Sequence, residues 1–268
     1  MFTVYITHIL GRIYAQGGGY GNVYLVNTPL SDVDRIMLVL SDPLCDPAEL
    51  DTISHSKIPQ LRAKVAQHPR CSPEARARLS NDNDPSVRKA LAESLYNPEE
   101  IVTGLSNDPD QGVRTAVAAN PGCPARLLAS MVKDPAIEVL LGLASNPNIS
   151  EQSASVLHGK GSMDLNYALA ANQGCPPAIL SNLVRRWVEY DDVPVDVLLL
   201  IAGNVSCPPH ALNALAYHID SDVVVTVMGH TSCPARTLAR LRLHRDQGVA
   251  NLAATLAGKG LPDSEWIK

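Results

Sequence analysis

The sequence predicts an all-α fold, an α-solenoid array of about eight stacked two-helix repeats of 26 residues, and three observations carry that prediction. All six cysteines (Cys45, Cys71, Cys123, Cys175, Cys207 and Cys233) are separated by 26, 52, 52, 32 and 26 residues, one or two multiples of one period with a single six-residue insertion. Within each period the apolar residues recur at helical spacing. Charged residues make up only 18% of the chain and there is a single Phe, so the core must be Leu, Val and Ala packed helix on helix. Self-similarity at a fixed spacing marks stacked units, none of which can bury its apolar face alone.

Taken in chain order, residues 1–31 differ from everything after them. Phe2, Val4 and Ile6 alternate with Thr3, Tyr5 and Thr7, and Val23 to Val26 follow a glycine-rich run. This alternation predicts a small β-like cap of short strands over the open end of the array. The run Gly17-Gly18-Gly19-Tyr20-Gly21 is too loose for a dinucleotide fingerprint. The array itself is expected over 32–258. Full repeats begin at Leu61, Val87, Val113, Val139, Leu165, Val197, Val223 and Val249, and Asp42, Pro43 and Cys45 mark an earlier copy. Counting these starts as slot one, the clearest repeat reads VRTAVAANPGCPARLLASMVKDPAIE from Val113 to Glu138. Val113, Ala116 and Val117 form an i, i+3, i+4 stripe, Asn120 and Pro121 end the first helix, and Pro124 opens a second, shorter α or 3₁₀ segment striped by Leu128 and Met131. The insertion falls at 185–193, and 259–268 reads as a polar tail with Trp266 as an anchor.

The recurrent slots have structural explanations first. Equivalent cysteines in neighbouring repeats sit about 8–10 Å apart, too far for a disulfide, so they are expected as free thiols in a small buried position. Cys207, His210, His230 and Cys233 mimic metal spacing, but His230 and His68 occupy the slot that holds Asn120, Asn146, Asn172 and Asn204. That row is expected to satisfy backbone groups orphaned at the turn between the two helices. No metal and no cofactor are therefore assigned. No nucleophile elbow, phosphate loop or metalloprotease motif is present, which argues against an enzyme. Net charge of −5 and a pI near 5.9 argue against a general nucleic-acid binder. No apolar run approaches the length of a membrane span and no leader pattern is visible, so a cytoplasmic protein with no membrane partner is expected.

The pattern VRxAVAxNPxxPxxxLxxLxxDPxxx is similar to the leucine-rich repeat variant family, a bacterial relative in shape of the HEAT and armadillo solenoids. The resemblance runs from about Asp32 to Gly258 and implies a right-handed superhelix of alternating helices. The family's founding pattern places a cysteine cluster for an iron–sulfur centre ahead of the repeats. No such cluster precedes Cys45 here, so that cofactor is not carried over.

Two kinds of surface follow as candidates. Slot two holds Arg62, Arg88 and Arg114, a possible phosphate-binding row, and HEAT-like solenoids include DNA glycosylases that grip DNA on a basic face. Each arginine could instead pair with an aspartate of the preceding turn, such as Asp84 or Asp110. Later repeats turn apolar in slots two and three: Leu140-Leu141, Leu198-Leu199 and Val224-Val225. These residues either pack internally or form a patch that a partner or second copy covers. Leu140, Leu198, Val224 and Val225, with Trp187 and Tyr190 of the insertion, are the candidate protein-binding residues. The reading is a noncatalytic scaffold for a protein partner or for self-association, with the arginine row as the nucleic-acid alternative.

Overall fold

The computed structural model of the chain describes residues 31–190 and 193–258. The expected cap over 1–31, all but Ser31, and the tail 259–268 lie outside the described residues. Seventeen α-helices and no strand are found among the described residues, and the chain divides into two compact units, 1–122 and 123–268.

The first unit runs α1 (Asp32–Val39), α2 (Pro47–Ile53), α3 (Pro59–Gln67), α4 (Pro73–Leu79), α5 (Pro85–Glu93), α6 (Glu99–Leu105) and α7 (Gln111–Ala119). Longer and shorter helices alternate, and the longer ones lie against one another, α3 on α5 and α5 on α7. Helices of nine residues are marginal alone, and each owes its stability to slots one and five. Leu61 and Val65, Val87 and Leu91, and Val113 and Val117 are all buried. Slot six is alanine in Ala66, Ala92 and Ala118, also buried, where a larger side chain would hold successive helices apart. Asp84 and Asp110 cap α5 and α7 through their side chains.

The second unit holds α8 (Ala125–Met131), α9 (Ile137–Ser145), α10 (Glu151–Gly159), α11 (Met163–Ala171), α12 (Pro177–Tyr190), α13 (Val195–Gly203), α14 (Pro209–Leu215), α15 (Ser221–Gly229), α16 (Ala235–Leu241) and α17 (Gln247–Ala257). Here two layers are explicit: α9, α11, α13, α15 and α17 stack in turn, and α8, α10, α12 and α14 do the same. The stripe continues with Val139 and Leu143, Leu165 and Leu169, Val197 and Ile201, and Val223 and Val227, all buried.

One local expectation changes. Pro124 is the N-cap of α8 and not its first residue, which is Ala125; the same holds for Pro98, Pro208 and Pro234, whereas Ser72 and Ser150 fill that slot with a capping hydroxyl. The insertion is not wholly a loop. α12 has 14 residues where α8 and α14 have 7, so 185–190 extend the helix.

Candidate functional site

The turn between the two helices of each repeat is held by a ladder of side-chain amides. Asn120 donates from Nδ2 to the carbonyls of Ala92 (2.6 Å) and Ser94 (3.0 Å), 28 and 26 residues earlier, and accepts the Gly122 N–H at 2.7 Å. Asn172 and Asn204 repeat this on Ala144 and Asn146, and on Ala170 and Asn172, all at 2.8 Å. These carbonyls end the preceding long helix and have no partner within it. His68 and His230 serve as longer versions of the same group. Because a carbonyl can only accept, Nε2–H donates to Asp42 (2.9 Å) and to Asn204 (2.8 Å), while Nδ1 accepts from Arg70 N–H (3.1 Å) and Ser232 N–H (3.0 Å). Both ring nitrogens of each histidine are thus occupied by backbone. Among the described residues no group of three or more His, Cys, Asp or Glu is placed to hold a metal ion.

One rung of the ladder is built differently, by a residue that the repeat pattern does not single out. At position 94 the slot holds Ser, too short to reach the previous repeat. Its two carbonyls, Ala66 and His68, are served instead by Arg76 at 3.4 and 2.8 Å. Arg76 is 3% exposed and sits in the slot that is Val102, Leu128 or Leu180 elsewhere. It also donates to the Cys71 carbonyl (3.2 Å), Ser94 Oγ (3.2 Å) and Asn97 Oδ1 (3.1 Å), with Tyr96 5.9 Å from its guanidinium carbon. Burial without a carboxylate pulls its pKa down from the usual arginine value. Asn97 in turn replaces the cysteine of its slot.

The cysteines are free, and all but the half-buried Cys233 are buried. Burial raises the thiols of Cys175 and Cys207 to about 12; burial, reinforced by Glu49, raises that of Cys45 to about 11. A thiol so protonated is neither a nucleophile nor a ready ligand at neutral pH.

The arginine row forms ion pairs along the first unit. Arg62 grips Asp82 with Nε and Nη2 at 2.6 and 2.8 Å and donates from Nη1 to the Ser56 carbonyl at 2.7 Å. Arg88 grips Asp108 in the same way at 2.7 and 2.8 Å and donates to the Asp82 carbonyl at 2.7 Å. Arg114 donates to the Asp108 carbonyl at 2.8 Å. The partners are therefore Asp82 and Asp108, 20 residues ahead, and not Asp84 and Asp110, which are spent as helix caps. Slot two points at the next repeat, so an arginine there meets the following turn.

Burial alone would raise the Asp82 and Asp108 carboxyls, but the hydrogen bonds from Arg62 and Arg88, with the Asp84 and Asp110 N–H groups, outweigh it and hold both below the usual carboxylate value. A depressed carboxyl contributes stability that is complete above the unfolded value of 3.8 and is lost as pH falls through the folded value. Urea midpoints measured from neutral pH downward should therefore stay level until about pH 4 and then fall. An Asp82→Asn/Asp108→Asn variant should be less stable at neutral pH and show a shallower fall.

In the second unit the same slot is closed and, apart from the buried Asn166 that meets His158 Nδ1 through Oδ1 at 2.8 Å, apolar. Leu140, Leu198 and Val224 are buried, which corrects their assignment to a binding surface: they face the next repeat, where the arginines of the first unit lie. The acidic partner changes with them. His218 and His244 follow Leu198 and Val224 at the position of Asp82 and Asp108, and retain the cap, accepting the Asp220 and Asp246 N–H groups on Nδ1 at 3.0 and 3.1 Å. Val225, in slot three, is 40% exposed, and with half-buried Leu141 and Leu199 and half-exposed Tyr167 it forms the outward apolar row. Trp187 and Tyr190 lie on the helical extension of α12, and their side chains are outside what the structure describes.

Residues 36–95 match the family model of the Leucine Rich Repeat Variant domain. The match covers the first repeats of the first unit, where the chain is similar to the leucine-rich repeat variant family. A solved leucine-rich repeat variant with a novel repetitive protein structural motif is similar at 20% identity, with a TM-score of 0.52 over 78% of this chain and 81% of that one; at this identity the likeness is one of fold. A comparison with curated proteins finds no match. Among the described residues no helix is long and apolar enough to cross a membrane.

Proposed function

We propose that the chain is a noncatalytic scaffold that presents its repeat surface to a protein partner. The observation that supports this most is the outward slot-three row of the second unit: Leu141, Tyr167, Leu199 and Val225 repeat on four successive long helices, beyond the core that slots one, two and five already complete. Exposed apolar side chains in register are a recurrent mark of a binding surface. The nucleic-acid reading is weakened because Arg62 and Arg88 are already held by carboxylates. Six free thiols suit a reducing compartment such as the cytoplasm.

The test is affinity capture from native lysate after nuclease treatment, with wild type and a Tyr167→Ser/Val225→Ser variant. Both changed side chains are at least 40% exposed, so the fold should survive. Protein captured by wild type, lost with the variant and little affected by added salt, is the expected outcome. Capture that disappears with nuclease or falls steeply with salt would point to nucleic acid instead.

A further inference from the structure

The outward face of α9, α11, α13 and α15 carries more than one apolar row. One turn before each slot-three residue stand Ile137, Met163 and Val195, each between 37% and 41% exposed, and Ser221 at the fourth position. One turn after them stand Ser145, Ala171, Gly203 and Gly229, all exposed and all small. The result is a band about 12 Å wide along the helix axes, with an apolar side and a shallow side. Successive helices repeat it at a spacing of about 8–10 Å.

Beside this band runs a row of one sign. Glu138, Asp164, Asp196 and Asp222 occupy the position just before slot one on the four helices, and all are exposed. Those four helices, IEVLLGLAS, MDLNYALAA, VDVLLLIAG and SDVVVTVMG, contain no Lys or Arg. None of the ion pairs found among the described residues involves these acids. The first unit has no such face. There the corresponding slot-three residues are Ala63, Lys89 and Thr115, and the position before slot one holds Gln60, Ser86 and Gly112.

We infer that this face seats a basic amphipathic helix of a partner protein, an inference that rests on the scaffold reading above. A helix advances about 10 Å in seven residues, which matches the step between neighbouring long helices. Apolar residues repeating once per heptad would therefore meet successive members of the Leu141–Val225 row, and lysines or arginines on the flank would meet the acids. The small residues let the partner backbone approach. Apolar contact supplies affinity and the one-signed acid row supplies orientation and selectivity.

The test uses the full chain and a fluorescent amphipathic peptide of leucine and lysine in heptad register, with the leucine and glutamate peptide of the same pattern as its counterpart. Anisotropy should report binding of the lysine peptide at least tenfold tighter than of the glutamate peptide. Asp164→Lys/Asp196→Lys should weaken the first at least tenfold and strengthen the second, while Tyr167→Ser/Val225→Ser should weaken the lysine peptide with circular dichroism unchanged. No binding, equal binding of both peptides, or binding untouched by either variant would overturn the inference. So would a wild-type dimer in sedimentation velocity that Tyr167→Ser/Val225→Ser abolishes, since the occupant would then be a second copy. If a lysate partner is retained by Asp164→Lys/Asp196→Lys, this inference fails while the scaffold reading stands; if wild type captures nothing, both fail.

Discussion

Arg76→Leu should destabilise the first unit by about 3 kcal/mol, although leucine is what the slot holds at Leu128, Leu180, Leu212 and Leu238, because buried acceptors left without donors cost about 1–3 kcal/mol each. The acceptors are the carbonyls of Ala66, His68 and Cys71, with Asn97 Oδ1. Leucine recovers part of this through apolar burial and relief of a desolvated charge. Adding Ser94→Asn should return more than half of the loss. An amide at 94 stands 28 and 26 residues after Ala66 and His68, the relation by which Asn120 reaches Ala92 and Ser94. Ser94→Asn on its own crowds Arg76 and should not stabilise. Urea unfolding of the four proteins gives the cycle, and a coupling of about 2 kcal/mol is expected. Additive single effects would show that Arg76 does not replace the missing rung.

The second large effect belongs to the ion pairs. Asp108→Ala leaves the Arg88 guanidinium with one carbonyl in a site where its side chain is 13% exposed, and should cost about 3–5 kcal/mol, the range for stranding one member of a buried pair. Asp84→Ala, which removes a half-buried cap, should cost about 1 kcal/mol. The second unit supplies the compensating chemistry: Leu198 is followed by His218, and Val224 by His244. Arg88→Leu/Asp108→His should therefore regain most of the stability lost in Asp108→Ala, because His restores the acceptor for Asp110 N–H and leucine fills the gap. Thermal and urea unfolding would decide it; a double variant no better than Asp108→Ala would mean that the two rung types are not interchangeable.

These effects show which parts of the molecule a sequence exposes. Slots one and five declared themselves because every repeat restates them, and the Cys and Asn slots did so for the same reason. Partnerships between repeats were harder to read. Arg62 and Arg88 were legible as a row, but the eye is drawn to Asp84 and Asp110, close in sequence, and these carboxylates were already committed to helix ends. Leu140, Leu198 and Val224 read as surface or core with equal ease, since the wheel of one helix does not contain its neighbour. The deciding cue was the arginine row itself: a slot that points a guanidinium at the following turn also points a leucine there. Arg76 left a fainter signal. Arg76, Ser94 and Asn97 are three departures from the pattern in three different slots, and only folding brings them to one place.

The interlock across repeat boundaries has a consequence for how such a chain can lengthen or shorten. Half of every rung is encoded one period downstream of its partner, so a repeat is not a free cassette. Losing the 26 residues from Ala63 to Arg88 would bring Arg62 opposite Asp108 and leave a matched pair. Splicing a leucine-bearing copy ahead of an aspartate-bearing one would bury a carboxylate with no cation. Copy number can drift within a run of like rungs, whereas a border between charged and apolar runs is crossed only when both halves change together.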